Sequence, residues 1–355
     1  MRAAVTKGKS MIVTEVADPV PQEGQLLVRT LACGICGSDL HALADPDAFM
    51  ETTRRSGGTP YDPRDGLVFG HEFAGEIVEY GPGTQRALPV GTVVCGPPIG
   101  IGPQGAGIIG YAPMYPGGYG EYMILNEALT MAVPGGLDPK VAAITEPFSV
   151  AARAVARSGI GAGDVAVVLG LGPIGLGVVA HLKARGHGPV LAADFSPKRR
   201  ALAEGLGADE LIDPGAGSPY DRWADLGVPT TTVERIAGEL LGTTGRGAVI
   251  FECVGVPGIL QQAIDGAPAG STIMVVGVCM QSDRIEPGVA VSKELDIRGS
   301  FGAMPNEYGA TLNDIAEGRI DAGSIITGTV GLEGIAGAFD DLADPEAQAK
   351  IVVTP

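Results

Sequence analysis

The sequence predicts an α/β protein of two domains, one of them built on a doubly wound parallel sheet. Three observations carry this. From about residue 150, apolar strand-like runs alternate with helix-length segments. A glycine-rich turn, Gly170-Leu-Gly-Pro-Ile-Gly175, joins the first of those runs to the first of those helices. Before residue 148, and again after about 297, the pattern is one of short β-type runs and mixed short elements. The expected division is 1–148 and 149–297, with 298–355 returning to the first domain.

In the first part, Val28–Leu31, Glu76–Tyr80 and Gly91–Val94 read as strands, the second closed by Gly81-Pro-Gly. In the second part, Val165–Leu169 is a continuous apolar strand and Ile174–Arg185 a helix. Val190–Ala193 is the next strand, Lys198–Leu206 a helix rich in helix formers, and Glu210–Ile212 a short strand. Ala248–Glu252 and Ser271–Val276 are further strands, with an amphipathic stretch near Ile259–Ile264 between them. Strand–helix alternation of this kind gives a parallel sheet covered on both faces.

Composition bounds the function. The chain has 355 residues, 45% apolar and 18% charged, so it is globular and not disordered. The 56 glycines and 27 prolines call for many turns, which suits an α/β protein with long loops. A formal charge of −17 excludes a basic nucleic-acid footprint and reads as solubility. The opening MRAAVTKGKS has no apolar signal core, and Val165–Ala180, interrupted by glycines and Pro173, is too short to span a membrane. Five irregularly placed cysteines then point to a reducing cytoplasm, with thiols serving as core residues or ligands.

Gly170-x-Gly172-x-x-Gly175 alone is a weak signal, but an apolar strand precedes it and a helix follows. Gly170 makes the tight turn, Gly172 admits a pyrophosphate close to backbone, and Gly175 lets helix and strand pack. The helix N-terminus opening at Pro173 and Ile174 offers free N–H groups and a positive dipole. Asp194 lies 19 residues after Gly175, where a carboxylate bonds the adenosine ribose and repels a 2′-phosphate. That favours NAD over NADP. Lys198 and Arg200 read equally well as a solvated first turn or as holders of a 2′-phosphate. Arg199 is placed over the adenine or ribose.

Cys33-Gly-Ile-Cys-Gly-Ser-Asp-Leu-His41, Gly70-His-Glu-Phe-Ala-Gly75 and Thr145-Glu-Pro-Phe-Ser-Val150 supply thiol, imidazole and carboxylate groups suited to zinc. In that order before the Gly motif, these motifs resemble the zinc-containing medium-chain dehydrogenases, over essentially the whole chain. Glu252-Cys-Val-Gly255 and the strand ending near Gly277 share the likeness. Glu146-Pro is similar to the sorbitol, butanediol and threonine dehydrogenase branch. The resemblance implies a GroES-like β-rich catalytic domain and a Rossmann domain. It implies zinc at Cys36 and His71, with Glu72 and Glu146 as candidate ligands, either of which could bind the metal directly. Val254, Gly277 and Phe301 join the cofactor residues on the same ground. Ser38 matches the hydroxyl that takes the alcohol proton, and His41 the far end of a relay through the cofactor ribose.

Other residues read as structural. Asp39 is a hydrogen-bonding residue, Cys33 is not a second ligand, and His181 and His187 have no functional part. The sequence also departs from the family. Relatives often hold a structural zinc in four closely spaced cysteines, where this chain has only Cys95. One cysteine cannot close such a site, so no structural zinc is expected. The stretch 44–66 is long. It reads either as a tolerated surface insertion or as a cleft border with Phe49 and Met50 turned inward. Tyr111, Met114 and Phe301 are weaker candidates for the pocket wall.

The implied reaction is hydride transfer between an alcohol, secondary, diol or polyol, and NAD. Zinc lowers the pKa of the bound alcohol so that an alkoxide forms near neutral pH. The expected assembly is a homodimer or homotetramer. The main rival is a zinc-free quinone or enone reductase of the same architecture, and a non-catalytic dinucleotide sensor is the rival from another class.

Overall fold

The computed structural model describes residues 1–344 and 346–355. The chain divides into two compact units. Unit 1 comprises Met1–Pro147, Ala303–Gly318 and Ala322–Pro355, and unit 2 comprises Phe148–Gly302 with Arg319–Asp321.

Unit 1 is organised by one long strand, Gln25–Gly34. It pairs antiparallel with Glu72–Tyr80, with Tyr122–Asn126 and, at its far end, with Lys350–Val353. The register sets Gly34 opposite Glu72 and Cys33 opposite Phe73. Phe69, Phe73, Ile77, Leu26, Val28, Tyr119 and Met123 fill the core beside this sheet. Past Gly34 the strand ends, and after two intervening residues the helix Gly37–Ala44 begins with Cys36 as its N-cap. Asp39 accepts the backbone N–H of Cys36 at 3.3 Å, a capping arrangement that fixes the strand-to-helix corner.

The long stretch after Ala44 is ordered as a second helix, Pro46–Arg55. Asp45 caps it by accepting the N–H of Ala48, and Pro46 stands in its first turn, where a missing N–H costs nothing. Phe49 is packed against the unit 1 core. Met50 is half-buried. The helix thus turns Phe49 inward, while Glu51, residues 54–59 and 64–66 of the same stretch are exposed at the surface.

Unit 2 is a six-stranded parallel sheet. Its order is Glu210–Ile212, Val190–Ala193, Val165–Leu169, Ala248–Glu252, Thr272–Val275, Asp296–Gly299. The chain runs outward from Val165–Leu169 first to one side and then to the other, so the order reverses beside that strand. Every residue of Val165–Leu169 and Ala248–Glu252 is buried, as continuous apolar runs covered on both faces require. This is a Rossmann-type sheet, and the point of reversal is where such sheets bind ligands. Among the described residues no helix is long and apolar enough to cross a membrane.

The Gly motif forms the turn from Val165–Leu169 into the helix Pro173–Ala184. Gly170 has φ +82°, which side-chain-bearing residues rarely adopt. A Cβ on Gly175 would lie 1.9 Å from the carbonyl oxygen of Gly170, whereas one on Gly172 would meet nothing within 4 Å. Gly175→Ala is therefore expected to destabilise the protein by about 1–3 kcal/mol. Gly172→Ala should melt with the parent. Thermal denaturation of the two variants side by side checks this.

Candidate functional site

At the end of the central strand of unit 1, four sequence segments converge. Ligand atoms of Cys36, His71 and Glu72 lie within 4.8 Å of one another. His71 and Glu72 are buried and Cys36 is half-buried. Glu72 fits because its neighbour across the strands is a glycine. A Cβ on Gly34 would stand 2.0 Å from Glu72 Oε2. Glu146, in the first turn of the helix Thr145–Ser158, is also buried but stands outside that tight group.

The charges here are mostly of one sign. Cys36, Asp39, Glu72 and Glu146 can all be anionic, and the fixed cation among them is Lys350. Its ammonium donates to both Glu72 oxygens at 2.7 Å and to the carbonyl of Ile35 at 2.8 Å, with side chains on both sides 1% exposed. Burial and the neighbouring Glu72 push the Glu146 carboxyl up to about 7, against the pull of His71 and Lys350. Burial disfavours a charged His71, yet Asp39 and Cys36 outweigh it and raise its pKa well above the ordinary value. Nδ1 of His71 is buried without a hydrogen bond, 3.5 Å from Asp39 Oδ1. A soft thiolate, an imidazole and a carboxylate around surplus negative charge fit a zinc ion, which would take the place of the proton on His71.

Asp39 ties this group together. It is fully buried and accepts hydrogen bonds from the Tyr119 hydroxyl at 2.7 Å and the Tyr111 hydroxyl at 2.8 Å. Burial alone would raise its carboxyl, but the His71 charge and the two phenols hold it below the ordinary range. Ser38 Oγ lies 2.7 Å from the Tyr111 hydroxyl and 3.2 Å from Cys36 Sγ. His41, three residues on along the same helix, is exposed. Cys33 is a core residue whose thiol burial pushes far up, and Cys95 lies buried in the strand Val93–Cys95, its thiol raised to about 12 by burial.

In unit 2, Gly170, Gly172, Pro173, Ile174 and Gly175 form one strand–turn–helix corner. Val254 closes against Gly170, where an added Cβ would meet its Cγ2 at 2.7 Å. Asp194 follows the strand Val190–Ala193, its carboxylate held by the N–H groups of Leu171 at 2.7 Å and Ser196 at 2.8 Å. Arg199 lies 4.0 Å from that carboxylate. Arg200 turns away, donating to the carbonyls of Asp194 and Phe195 and standing 3.2 Å from Asp213. Gly277 and Phe301 line one cavity of about 380 Å³ with Arg153, Arg157 and Ser300. Phe301 is 81% exposed and belongs to unit 2, whereas Tyr111 and Met114 pack against the unit 1 core.

Comparison with known proteins fits this pattern. Residues 22–135 match the alcohol dehydrogenase GroES-like domain, and residues 173–317 match the zinc-binding dehydrogenase family. The chain is 32% identical to a (R,R)-butanediol dehydrogenase of Bacillus subtilis, over 98% of this chain and 97% of that one. The chain belongs to the zinc-binding alcohol dehydrogenase family. A sorbitol dehydrogenase of the same organism is 29% identical, over 94% of this chain and 91% of its own. The crystal structure of 2R,3R-butanediol dehydrogenase from Bacillus subtilis superposes with a TM-score of 0.79 at 30% identity, covering 100% of this chain and 99% of that one. As a member of this family the protein is a zinc- and nicotinamide-dependent alcohol oxidoreductase, and a zinc-free quinone reductase is not favoured.

Three site residues of this dehydrogenase were not singled out from sequence. Lys350 is one, though a lysine inside the apolar run Ala349-Lys-Ile-Val-Val is itself a sign of a buried partner. Tyr119 is another. The third is Glu252, which is buried and turns the Val254–Gly255 loop by accepting both N–H groups at 2.7 and 2.8 Å. Removing one partner of a buried ion pair strands the other charge. Lys350→Met is therefore expected to cost about 3–5 kcal/mol of stability. Lys350→Arg should retain most of it, and Lys350→Met/Glu72→Gln should recover part. Urea denaturation of the three variants reads the difference.

Proposed function

We propose that this enzyme oxidises a secondary alcohol, vicinal diol or polyol with NAD⁺ at a single zinc ion held by Cys36, His71 and Glu72. The observation that carries the reading is the convergence of those three donor atoms within 4.8 Å. Both Glu72 oxygens serve Lys350, but each carboxylate oxygen has a second lone pair, and the ion pair fixes the group's orientation. When bound, zinc supplies the Lewis acidity that lowers the pKa of an alcohol hydroxyl.

The chain's own residues do the rest. The Cys36 thiolate, with Asp39 and Glu146 close by, offsets the metal charge, because the charge of Glu72 is already answered by Lys350. Asp39 holds His71 and, through Tyr111, the serine hydroxyl. Ser38 Oγ, beside Cys36 Sγ, would accept the hydrogen bond of the substrate's hydroxyl, and as that proton arrives its own would leave along the relay toward His41. His41, exposed on the same helix, is the group suited to pass a proton to solvent. Glu146 belongs to this site as a buried acid outside the three-donor group; without metal its carboxyl is raised to about 7, and a bound zinc would draw it back down.

Gly170, Gly172, Pro173, Ile174 and Gly175 are assigned to the pyrophosphate, and Asp194 and Arg199 to the adenosine. Val254, Gly277 and Phe301 are assigned to the nicotinamide half. The reading of NAD over NADP is supported by Asp194 and by the engagement of Arg200 with backbone and Asp213. The diol or polyol assignment is supported by the names of the butanediol and sorbitol dehydrogenase relatives. A single zinc is supported by the cysteine count, since Cys95 stands without three neighbours of its kind. The five free cysteines support a reducing cytoplasm, and a homodimer or homotetramer remains the expected assembly.

Elemental analysis of the purified protein should find close to one zinc per chain. Cys36→Ser should lose the metal and at least about a thousandfold in activity on vicinal diols. Intact activity without zinc overturns the reading, and two zincs per chain overturn the single-site part of it. Asp194→Ala should weaken use of NAD⁺ about 10- to 100-fold, the worth of charged hydrogen bonds, and narrow the gap to NADP⁺. Steady-state kinetics with the two cofactors checks it.

A further inference from the structure

Tyr111 is the residue this site does not yet account for. Its ring is clamped on three sides. Phe49 lies edge-on at 5.1 Å between centroids, Phe69 edge-on at 5.3 Å, and the His71 ring is tilted at 5.2 Å. Phe49 comes from the helix Pro46–Arg55, the ordered part of the long stretch after Ala44. The clamp leaves the hydroxyl one position, between Asp39 Oδ1 at 2.8 Å and Ser38 Oγ at 2.7 Å.

The direction of the hydrogen bonds in this chain follows from counting protons. Asp39 accepts from three donors, the two phenols and the N–H of Cys36. It is the acceptor end. If Tyr111 pointed its proton at Ser38, its oxygen would face a carboxylate oxygen 2.8 Å away with no proton between them. So Tyr111 donates to Asp39. A hydroxyl has one proton, so the bond between Ser38 and Tyr111 runs from serine to tyrosine. Cys36 Sγ, 3.2 Å away, is a competing acceptor for the Ser38 proton; with the Tyr111 proton on Asp39, the shorter 2.7 Å contact to Tyr111 takes it, and the Ser38 lone pairs are what it presents to a ligand.

We infer that Tyr111 is a positioning residue that presets Ser38 as a hydrogen-bond acceptor and so biases the site toward alcohols over carbonyl compounds. An alcohol donates to Ser38 and leaves the Ser38–Tyr111–Asp39 chain intact, each bond polarising the next. A carbonyl oxygen needs a donor. To serve it, Ser38 must first give up its bond to Tyr111. The insertion helix acts through Phe49 by holding the ring that sets this preference. The inference rests on the reading of Ser38 as the hydroxyl that meets the substrate.

The test uses two unreactive ligands in place of substrates. Trifluoroethanol stands for the alcohol, bound to the enzyme with NAD⁺, and isobutyramide for the carbonyl compound, bound to the enzyme with NADH. Calorimetry gives both affinities for the parent, Tyr111→Phe and Ser38→Ala, and zinc content and melting temperature are measured on each. Tyr111→Phe keeps the ring and removes the hydroxyl. It should bind trifluoroethanol about 2- to 10-fold more weakly, the worth of one neutral hydrogen bond, and bind isobutyramide as tightly or more tightly. Zinc content should stay at the parent value. Unchanged affinities, or a parallel loss of both, overturn the inference. If Ser38→Ala binds both ligands like the parent, the reading of Ser38 fails and this inference falls with it. If Ser38→Ala loses trifluoroethanol while Tyr111→Phe does not, the inference alone fails.

Discussion

Too much negative charge in a largely buried space is the condition to which the rest of unit 1 responds. A thiolate and three carboxyl groups meet at the end of one strand, and each must be balanced or neutralised. Lys350 answers for Glu72. Asp39 is answered by two phenols, a backbone N–H and the edge of an imidazole. Glu146 is answered by holding its proton up to about 7. His71 is left beside Asp39 and Cys36 with its basicity raised, and a divalent metal is the remaining partner that relieves the whole set at once.

The same condition explains the local backbone. Gly34 is required because Glu72 occupies the space a side chain would fill. The corner between the central strand and its following helix is tight because Cys36 caps the helix while its thiol stands with the donor atoms of His71 and Glu72. Its N–H is then satisfied by Asp39, the carboxylate that also receives Tyr111 and stands beside His71. One buried acid thus sets a helix start, a ring orientation and a hydroxyl direction.

What could be read from sequence was what is local in sequence. The Gly motif, Asp194, Cys36 with Ser38, and His71 with Glu72 each declare themselves within a few residues, because a turn, a cap or a register dictates the spacing. The parallel sheet was legible for the same reason, since burial on both faces leaves continuous apolar runs such as Val165–Leu169. Lys350 was not legible, because it reaches Glu72 across 278 residues and no spacing encodes that distance. Tyr111 was noticed only as a wall of the pocket. Its bonds to Ser38 and Asp39 cross 73 and 72 residues. Whether Phe49 turned in or out depended on whether the stretch after Ala44 formed a helix, which Asp45 and Pro46 signal but core contacts decide.

The position of Lys350 has a consequence for how the protein is made. On the ribosome, Cys36, His71, Glu72 and Glu146 emerge early, and the whole of unit 2 is synthesised before the strand carrying Lys350 appears. Unit 2 is one continuous piece apart from Arg319–Asp321, so nearly all of its own chain is at hand while the first unit is still open. Through that interval the nascent acidic pocket lacks its permanent cation. Until Lys350 arrives, Glu72 must be protonated or balanced by counter-ions from solution, so the strand Lys350–Val353 completes a pocket whose other groups were made long before it.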